Sequence, residues 1–152
     1  MKVLFAIILI GGSSMILACE NWEARKHHSQ GITYAEQGRF DEASAEFKRA
    51  ISIDSDNAKV HYNLGAAYEK QGKYDLAVES CQKAIAINPD DAKAHYNLSC
   101  VYALKNETNL SIESLQKAVI LNKIAIEAAK TESDFDNIRS SPEFQQLINS
   151  VE

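Results

Sequence analysis

The sequence has few residues that interrupt helices, with two prolines and six glycines among its 152 residues. It contains no low-complexity segment or internal linker, and no strand-like alternation of apolar and polar residues. Apolar and small residues instead recur at three- and four-residue steps, which predicts amphipathic helices. We therefore predict an all-α fold in a single domain.

The sequence also lacks the usual motifs of catalysis and nucleic-acid binding. It has no glycine-rich phosphate loop after a strand and no serine in a nucleophile-elbow context, and no pair of its carboxylates stands out. Acidic residues outnumber basic ones by 21 to 16, which gives a formal net charge of −5 and disfavours a nucleic-acid partner. We expect no enzymatic activity, no catalytic residues and no cofactor.

A period of 34 residues organises the chain. It relates three sets of identical residues: His27, His61 and His95; Tyr34, Tyr68 and Tyr102; Ala50, Ala84 and Ala118. A period of this length indicates a solenoid of stacked helix pairs. Equivalent histidines would then lie on helices whose axes are roughly 8–10 Å apart, too far to converge on one ion. We expect no metal site at these residues or at His28.

The central unit has two helical stripes separated by Gly72 and ended by Pro89. The small residues Gly65 and Ala77 would let the two helices approach closely. In register, this unit resembles the tetratricopeptide repeat at six positions: Leu64, Gly65, Tyr68, Ala77, Ala84 and Pro89. The resemblance implies a short right-handed solenoid of about three such helix pairs: residues 24–57, 58–91 and 92–125.

The third unit departs most from the family pattern. It has Ser99 in place of the paired-helix glycine, Asn106 at the turn, Ser111 in place of alanine and Lys123 in place of proline. We therefore expect its helix pair to be looser. Residues 126–152 are expected to form a C-terminal helical cap, with a helix over 124–130 and a short terminal helix that starts at Ser141-Pro142-Glu143.

The first 18 residues are interpreted as a signal peptide. One cation, Lys2, precedes an apolar run that is short for a membrane span, and the run ends in Ile16-Leu17-Ala18-Cys19. This ending resembles the bacterial lipoprotein box, which implies acylation of Cys19 and a lipidated tether over residues 19–23. An uncleaved anchor and simple secretion remain alternatives. Glu20 favours the outer membrane, with the protein facing the periplasm.

The family resemblance also implies a groove that binds an extended peptide or a helix. The residues expected to line it form a basic row and an aromatic row with amides beside them: Arg25, Lys59 and Lys93; His28, Tyr62 and Tyr96; Asn63 and Asn97. The alternative is that these side chains only solvate a helix face. The carboxylate clamp of chaperone-binding relatives is incomplete, because only Asn63 and Lys93 match it.

These observations predict a membrane-anchored adaptor of the bacterial cell envelope that binds another protein through this groove. The alternative is a structural lipoprotein that self-associates or assists assembly of an outer-membrane secretion or pilus complex. The sequence leaves open whether Cys81 and Cys100 form a disulfide, which an oxidising compartment would permit.

Overall fold

The computed structural model describes residues 22–150, and every regular element in this range is helical. The elements are α1 (22–36), α2 (Phe40–Ile53), α3 (Ala58–Lys70), α4 (Tyr74–Ile87), α5 (Ala92–Leu104), α6 (Thr108–Leu121), α7 (Ile124–Thr131), a 3-10 turn (Ser133–Phe135) and α8 (Pro142–Asn149). The predicted all-α class is confirmed. The described residues divide into two compact units, unit 1 (up to Asp56) and unit 2 (from Asn57). The predicted signal peptide and Cys19 lie outside the described residues.

The same turn joins the two helices of each pair. The left-handed residue is Gly38, Gly72 or Asn106, with φ of 73°, 72° and 60°. In each turn the backbone amide of the next residue donates to the carbonyl of the tyrosine near the helix end. The three bonds are Arg39 to Tyr34 at 2.9 Å, Lys73 to Tyr68 at 2.9 Å and Glu107 to Tyr102 at 2.8 Å. This pattern satisfies carbonyls that a helix end would leave free. Asparagine replaces glycine in the third turn because it tolerates this conformation better than most residues.

In unit 1, α1 and α2 are in close contact through Gly31. A Cβ at Gly31 would lie 2.5 Å from the ring of Phe47, which is 1% exposed. Glu46 is also buried, and its carboxylate contacts His27 Nδ1 at 2.6 Å and the guanidinium of Arg49. The packing of this pair therefore depends on the absence of a side chain at one position of α1.

In unit 2, Gly65 has the same role between α3 and α4. A Cβ at Gly65 would lie 2.7 Å from Cys81 Sγ, and Ala77, Cys81 and Ala84 are fully buried. Cys81 and Cys100 are both buried free thiols, so the disulfide that the sequence left open is not formed. Cys81 acts as a small packing residue.

The third helix pair, α5 with α6, is not loosened by its two serines. Ser99 and Ser111 are fully buried, and the Ser111 hydroxyl donates to the Ser99 carbonyl across 2.8 Å. The expectation of a looser pair is wrong because the serine side chain that replaces alanine makes a hydrogen bond with the facing helix. A buried hydroxyl that is satisfied in this way costs little stability.

The C-terminal segment packs onto α5 and α6. Phe135, Phe144 and Leu115 are at the centre of a buried cluster to which α7 adds Ile126 and Ala129. The Arg139 guanidinium donates to three carbonyls at the end of α7: Ala129 at 3.3 Å, Glu132 at 2.6 Å, and also Lys130. These bonds satisfy carbonyl groups that the helix end would leave free. The predicted start of the terminal helix is confirmed, since Ser141 Oγ accepts from the Phe144 amide at 3.2 Å.

Close packing at Gly65 gives the first testable prediction. Gly65→Ala should lower the free energy of unfolding by about 1–3 kcal/mol, because the new methyl group overlaps Cys81 Sγ. The double variant Gly65→Ala/Cys81→Ala should recover much of this loss, since the sulfur is then absent. Urea unfolding of both single variants and the double variant measures the coupling between the two sites. Strictly additive losses would contradict the proposed clash.

Candidate functional site

Six of the predicted groove residues lie in unit 2 and define what we call the α3/α5 face: Lys59, Tyr62 and Asn63 on α3; Lys93, Tyr96 and Asn97 on α5. Lys59 and Lys93 are exposed, and neither ammonium has an acidic partner among residues 22–150. Tyr62 and Tyr96 are half-buried. The face therefore combines two available cations with two ring surfaces, which can contact a ligand with little loss of rotamer freedom.

A cavity of about 310 Å³ opens on the α3/α5 face. Tyr62 of α3 and Ala92, Lys93 and Tyr96 of α5 line one side of it. The other side is Asn122 followed by three α7 residues: Ile124, Ala125 and Ala128. Ile124 is 72% exposed, so the cavity has an apolar rim that no other part of the described chain covers. The structure thus brings three predicted site residues, Tyr62, Lys93 and Tyr96, around one cavity.

Burial determines the chemistry of the tyrosines. It raises the pKa of both Tyr62 and Tyr96, so both rings stay neutral at physiological pH. The Tyr96 hydroxyl and the Asn97 Nδ2 atom are buried without a hydrogen-bond partner among the described residues. These rings can supply contact area and weak polar contacts, but not charge.

The far end of the α3/α5 face, toward the C-termini of the two helices, is filled by the chain itself. The Phe135 ring meets Tyr96 edge to face, with centroids 5.9 Å apart, and Cys100 beneath is only 2% exposed. Lys70 Nζ lies 2.8 Å from Glu69 Oε1 and 3.8 Å from Asp134 Oδ2. Cys100 of α5 is therefore covered by the C-terminal segment.

The charges of the α3/α5 face are separated along its length. Glu69, Glu132 and Asp134 surround Lys70 at the far end, whereas Lys59 and Lys93 stand at the near end, by the starts of their helices. Burial raises the pKa of Glu69 although Lys70 opposes the shift, and burial likewise raises the pKa of Asp134. The near end is thus the part of the face that attracts anions.

Arg25 and His28 lie on α1 in unit 1. Arg25 is exposed, and it has no acidic partner among the described residues. The His28 ring is half-buried and lies 5.9 Å from the Phe47 ring. His28 therefore contributes to packing within unit 1 as well as to its surface.

A second and larger cavity, of about 580 Å³, lies between α4 and α6. Its apolar lining includes Ile85, Leu98 and Ile120, and its polar lining includes His95 and Lys117. The His95 Nε2 atom is 2.9 Å from the Pro89 carbonyl oxygen, so this ring is already engaged. Nowhere in residues 22–150 do three histidine, cysteine or acidic side chains come together in a way that could hold a metal ion.

Sequence reasoning missed the contribution of α7 to the site. It predicted the helix over 124–130 but assigned it only to capping. The available signal was the 34-residue period, because 34 residues after Ala92 comes Ile126, within α7. A first helix of a further repeat would begin there, and first helices line the ligand face of such solenoids.

The helix pairs, their turns and the face left open between them define a helix-pair repeat protein. Family models described as TPR repeat and tetratricopeptide repeat match residues 31–72, 58–91 and 80–113. Together the matches span more than half of the chain. The protein is therefore a tetratricopeptide repeat protein, as the sequence predicted.

Solved structures show the same fold. The crystal structure of MamA is 22% identical, with a TM-score of 0.74 over 91% of this chain and 79% of that one. The first TPR domain of Spaghetti (RPAP3) bound to the HSP90 peptide SRMEEVD is 18% identical, with a TM-score of 0.68 over 86% and 94%. The second TPR domain of human RPAP3, in complex with the HSP70 peptide SGPTIEEVD, is 19% identical, with a TM-score of 0.67 over 86% and 98%. No curated protein matches the sequence.

The raised pKa of Glu69 gives a second prediction. An acid whose pKa is raised by folding keeps its proton to higher pH than in the unfolded chain, so its contribution to stability grows as pH falls. Glu69→Gln should remove this contribution. As the pH is lowered from neutral toward the ordinary pKa of a glutamate carboxyl, the melting temperature of the unmodified protein should rise relative to that of this variant.

Glu113→Gln, an exposed α6 position, is the matched control for thermal melts over the same pH range. It should leave the pH dependence of stability unchanged. If the difference in melting temperature between the unmodified protein and Glu69→Gln stayed constant with pH, the raised pKa of Glu69 would be contradicted.

Proposed function

We propose that this protein is a membrane-anchored adaptor that binds an acidic segment of another cell-envelope protein at the α3/α5 face. The observation that carries the proposal is the position of Lys93, an exposed cation without an acidic partner in residues 22–150, at a cavity lined by Tyr62 and Tyr96. A cation beside rings in a concave site favours a ligand with carboxylates and apolar side chains. Proteins of the same fold are solved with acidic peptides bound.

The binding energy would be shared between charge and apolar contact. Exposed ion pairs contribute about 0–1 kcal/mol each, so Lys59 and Lys93 alone give little affinity. The tyrosines and the apolar wall of α7 would supply the rest through buried area. Binding by such a face should weaken moderately, without vanishing, as salt rises.

Charge reversal tests this proposal. Lys59→Glu/Lys93→Glu should weaken capture of the partner from solubilised membranes by about tenfold or more, because both cations become repulsive to an acidic segment. The matched control is Lys83→Glu/Lys117→Glu on α4 and α6, where both lysines are also exposed. Quantitative capture with purified full-length protein, at low and high salt, measures the effect. Equal losses from both pairs would show that the partner does not use the α3/α5 face.

A second candidate function is self-association in an assembly or structural role. The exposed apolar residues Ile120 and Ile124, at 77% and 72%, favour it, because a second copy of the chain that covered them would remove apolar area from water. Capture that recovers only further copies of the same chain would support this second function. A different protein that is lost on reversal of Lys59 and Lys93 would support the adaptor.

The membrane anchor is proposed from the sequence around Cys19, where a small residue precedes the cysteine after a short apolar run. None of the helices within residues 22–150 is long and apolar enough to cross a bilayer. Acylation of Cys19 would supply the attachment, and the few residues between Cys19 and α1, which begins by residue 22, would then hold the repeats close to the membrane surface.

Cys19→Ser tests the anchor. The variant should appear in the soluble fraction after cell lysis, since it has no thiol to acylate, whereas Cys81→Ser should stay with the membranes. Fractionation followed by mass spectrometry measures both location and processing. Membrane retention of Cys19→Ser at the same mass as the unmodified protein would instead support an uncleaved anchor.

A further inference from the structure

The open part of the α3/α5 face is shorter than the repeats alone would leave it, because the C-terminal segment covers one end. Phe135 and Asp134 occupy the far end, where they contact Tyr96 and Lys70. At the near end, α7 stands across from α5 and contributes Ala125 and Ala128 to the cavity. A ligand that extended along the whole face would have to displace a buried aromatic residue, since Phe135 is 0% exposed.

The size of the near cavity limits what can enter it. At about 310 Å³ it is at the small end of the range of about 300–1,000 Å³ that is usual for ligand pockets. This space suits one large side chain with its adjoining backbone rather than a helix. Its walls are the Tyr62 and Tyr96 rings and the methyl groups of Ala125 and Ala128, which favour an apolar side chain.

Charge fixes the direction in which such a segment would lie. Lys93 lines the cavity, and its ammonium has no acidic partner among the described residues. Glu132 and Asp134 act on Tyr96 from the other side, where they would repel a carboxylate. An acidic residue next to the apolar one would therefore sit toward Lys93 and away from the 3-10 turn.

We propose, resting on the function proposed above, that α7 is part of the binding site and that the α3/α5/α7 cavity takes one large apolar side chain of a short acidic partner segment. The neighbouring carboxylate of that segment pairs with Lys93. The chain's own Asp134-Phe135 supports this chemistry, because a carboxylate beside an aromatic ring already packs on the far end of the same face. The larger α4/α6 cavity offers the rival location.

The probe is a fluorescein-labelled synthetic peptide with blocked ends, Gly-Ser-Glu-Phe-Glu-Ser-Gly, titrated against the full-length protein and followed by anisotropy. Replacing its phenylalanine by alanine, or both of its glutamates by glutamine, should weaken binding by about tenfold or more. In the protein, Ala128→Trp should weaken binding to a similar extent, because the indole fills the cavity. Ala128 is exposed, so this variant should fold.

Two matched alanine-to-tryptophan variants serve as controls. Ala45→Trp is on an exposed position of α2 and should leave binding unchanged. Ala86→Trp fills the rival α4/α6 cavity and should also leave binding unchanged. Alanine-methyl NMR of the unmodified protein locates the peptide independently of any substitution, with shifts expected at Ala92, Ala125 and Ala128 and none at Ala86.

Each other outcome overturns the proposal in a distinct way. Loss of binding in Ala86→Trp, with a shift at Ala86, would assign the ligand to the α4/α6 cavity. Unchanged binding in Ala128→Trp, together with loss in Lys93→Glu, would remove α7 from the site but leave the adaptor function intact. An absence of binding to the unmodified protein at millimolar peptide would show that the apolar-acidic chemistry is wrong. Unchanged capture of the cellular partner by the Lys59→Glu/Lys93→Glu variant would show that the α3/α5 face is not the adaptor surface.

Discussion

The close approach of two antiparallel helices within each pair is the constraint on which the rest of the structure depends. It requires a residue with little or no side chain where the first helix crosses the second, and Gly31, Gly65 and Ser99 hold these equivalent positions. At Gly31 and Gly65 a single added carbon would overlap Phe47 or Cys81. Because the pair buries its small residues inward, the longer side chains of the first helices are left on the outer face. The α3/α5 face is thus a consequence of this packing.

Small residues alone do not fix the pair, and the third unit shows what can replace them. The Ser111 hydroxyl donates across to the Ser99 carbonyl, and the Ser99 hydroxyl donates to the Tyr96 carbonyl in its own helix, so both buried hydroxyl groups have a partner. Asn106 keeps the left-handed turn in the absence of glycine. Residues that look like departures from a repeat pattern can therefore preserve its geometry by a different interaction.

The sequence predicted the local features well. The 34-residue period, the turn at Gly72 and the start of α8 at Ser141 all follow from short-range rules on helix faces, helix interruption and capping. The position of the C-terminal segment could not be predicted in the same way. Phe135 reaches Tyr96 across 39 positions of the chain, and no local pattern encodes such a contact. The burial of Cys100 and the apolar wall formed by α7 both depend on the position of this segment.

The short length of α7 is what leaves a cavity on the α3/α5 face. It has 8 residues, against 13 in each of α3 and α5, and begins near the register of a fourth first helix. A full-length helix would continue along the whole face, but here the chain turns at Glu132, and Arg139 donates to the carbonyl groups that the helix end exposes. The turn places Asp134 and Phe135 at the far end and leaves the near end open beside Lys93. The short length of α7 therefore lets the chain cover one end of the face with acidic residues and leaves the lysines at the other. The open part of the face thus has a basic end and an acidic end.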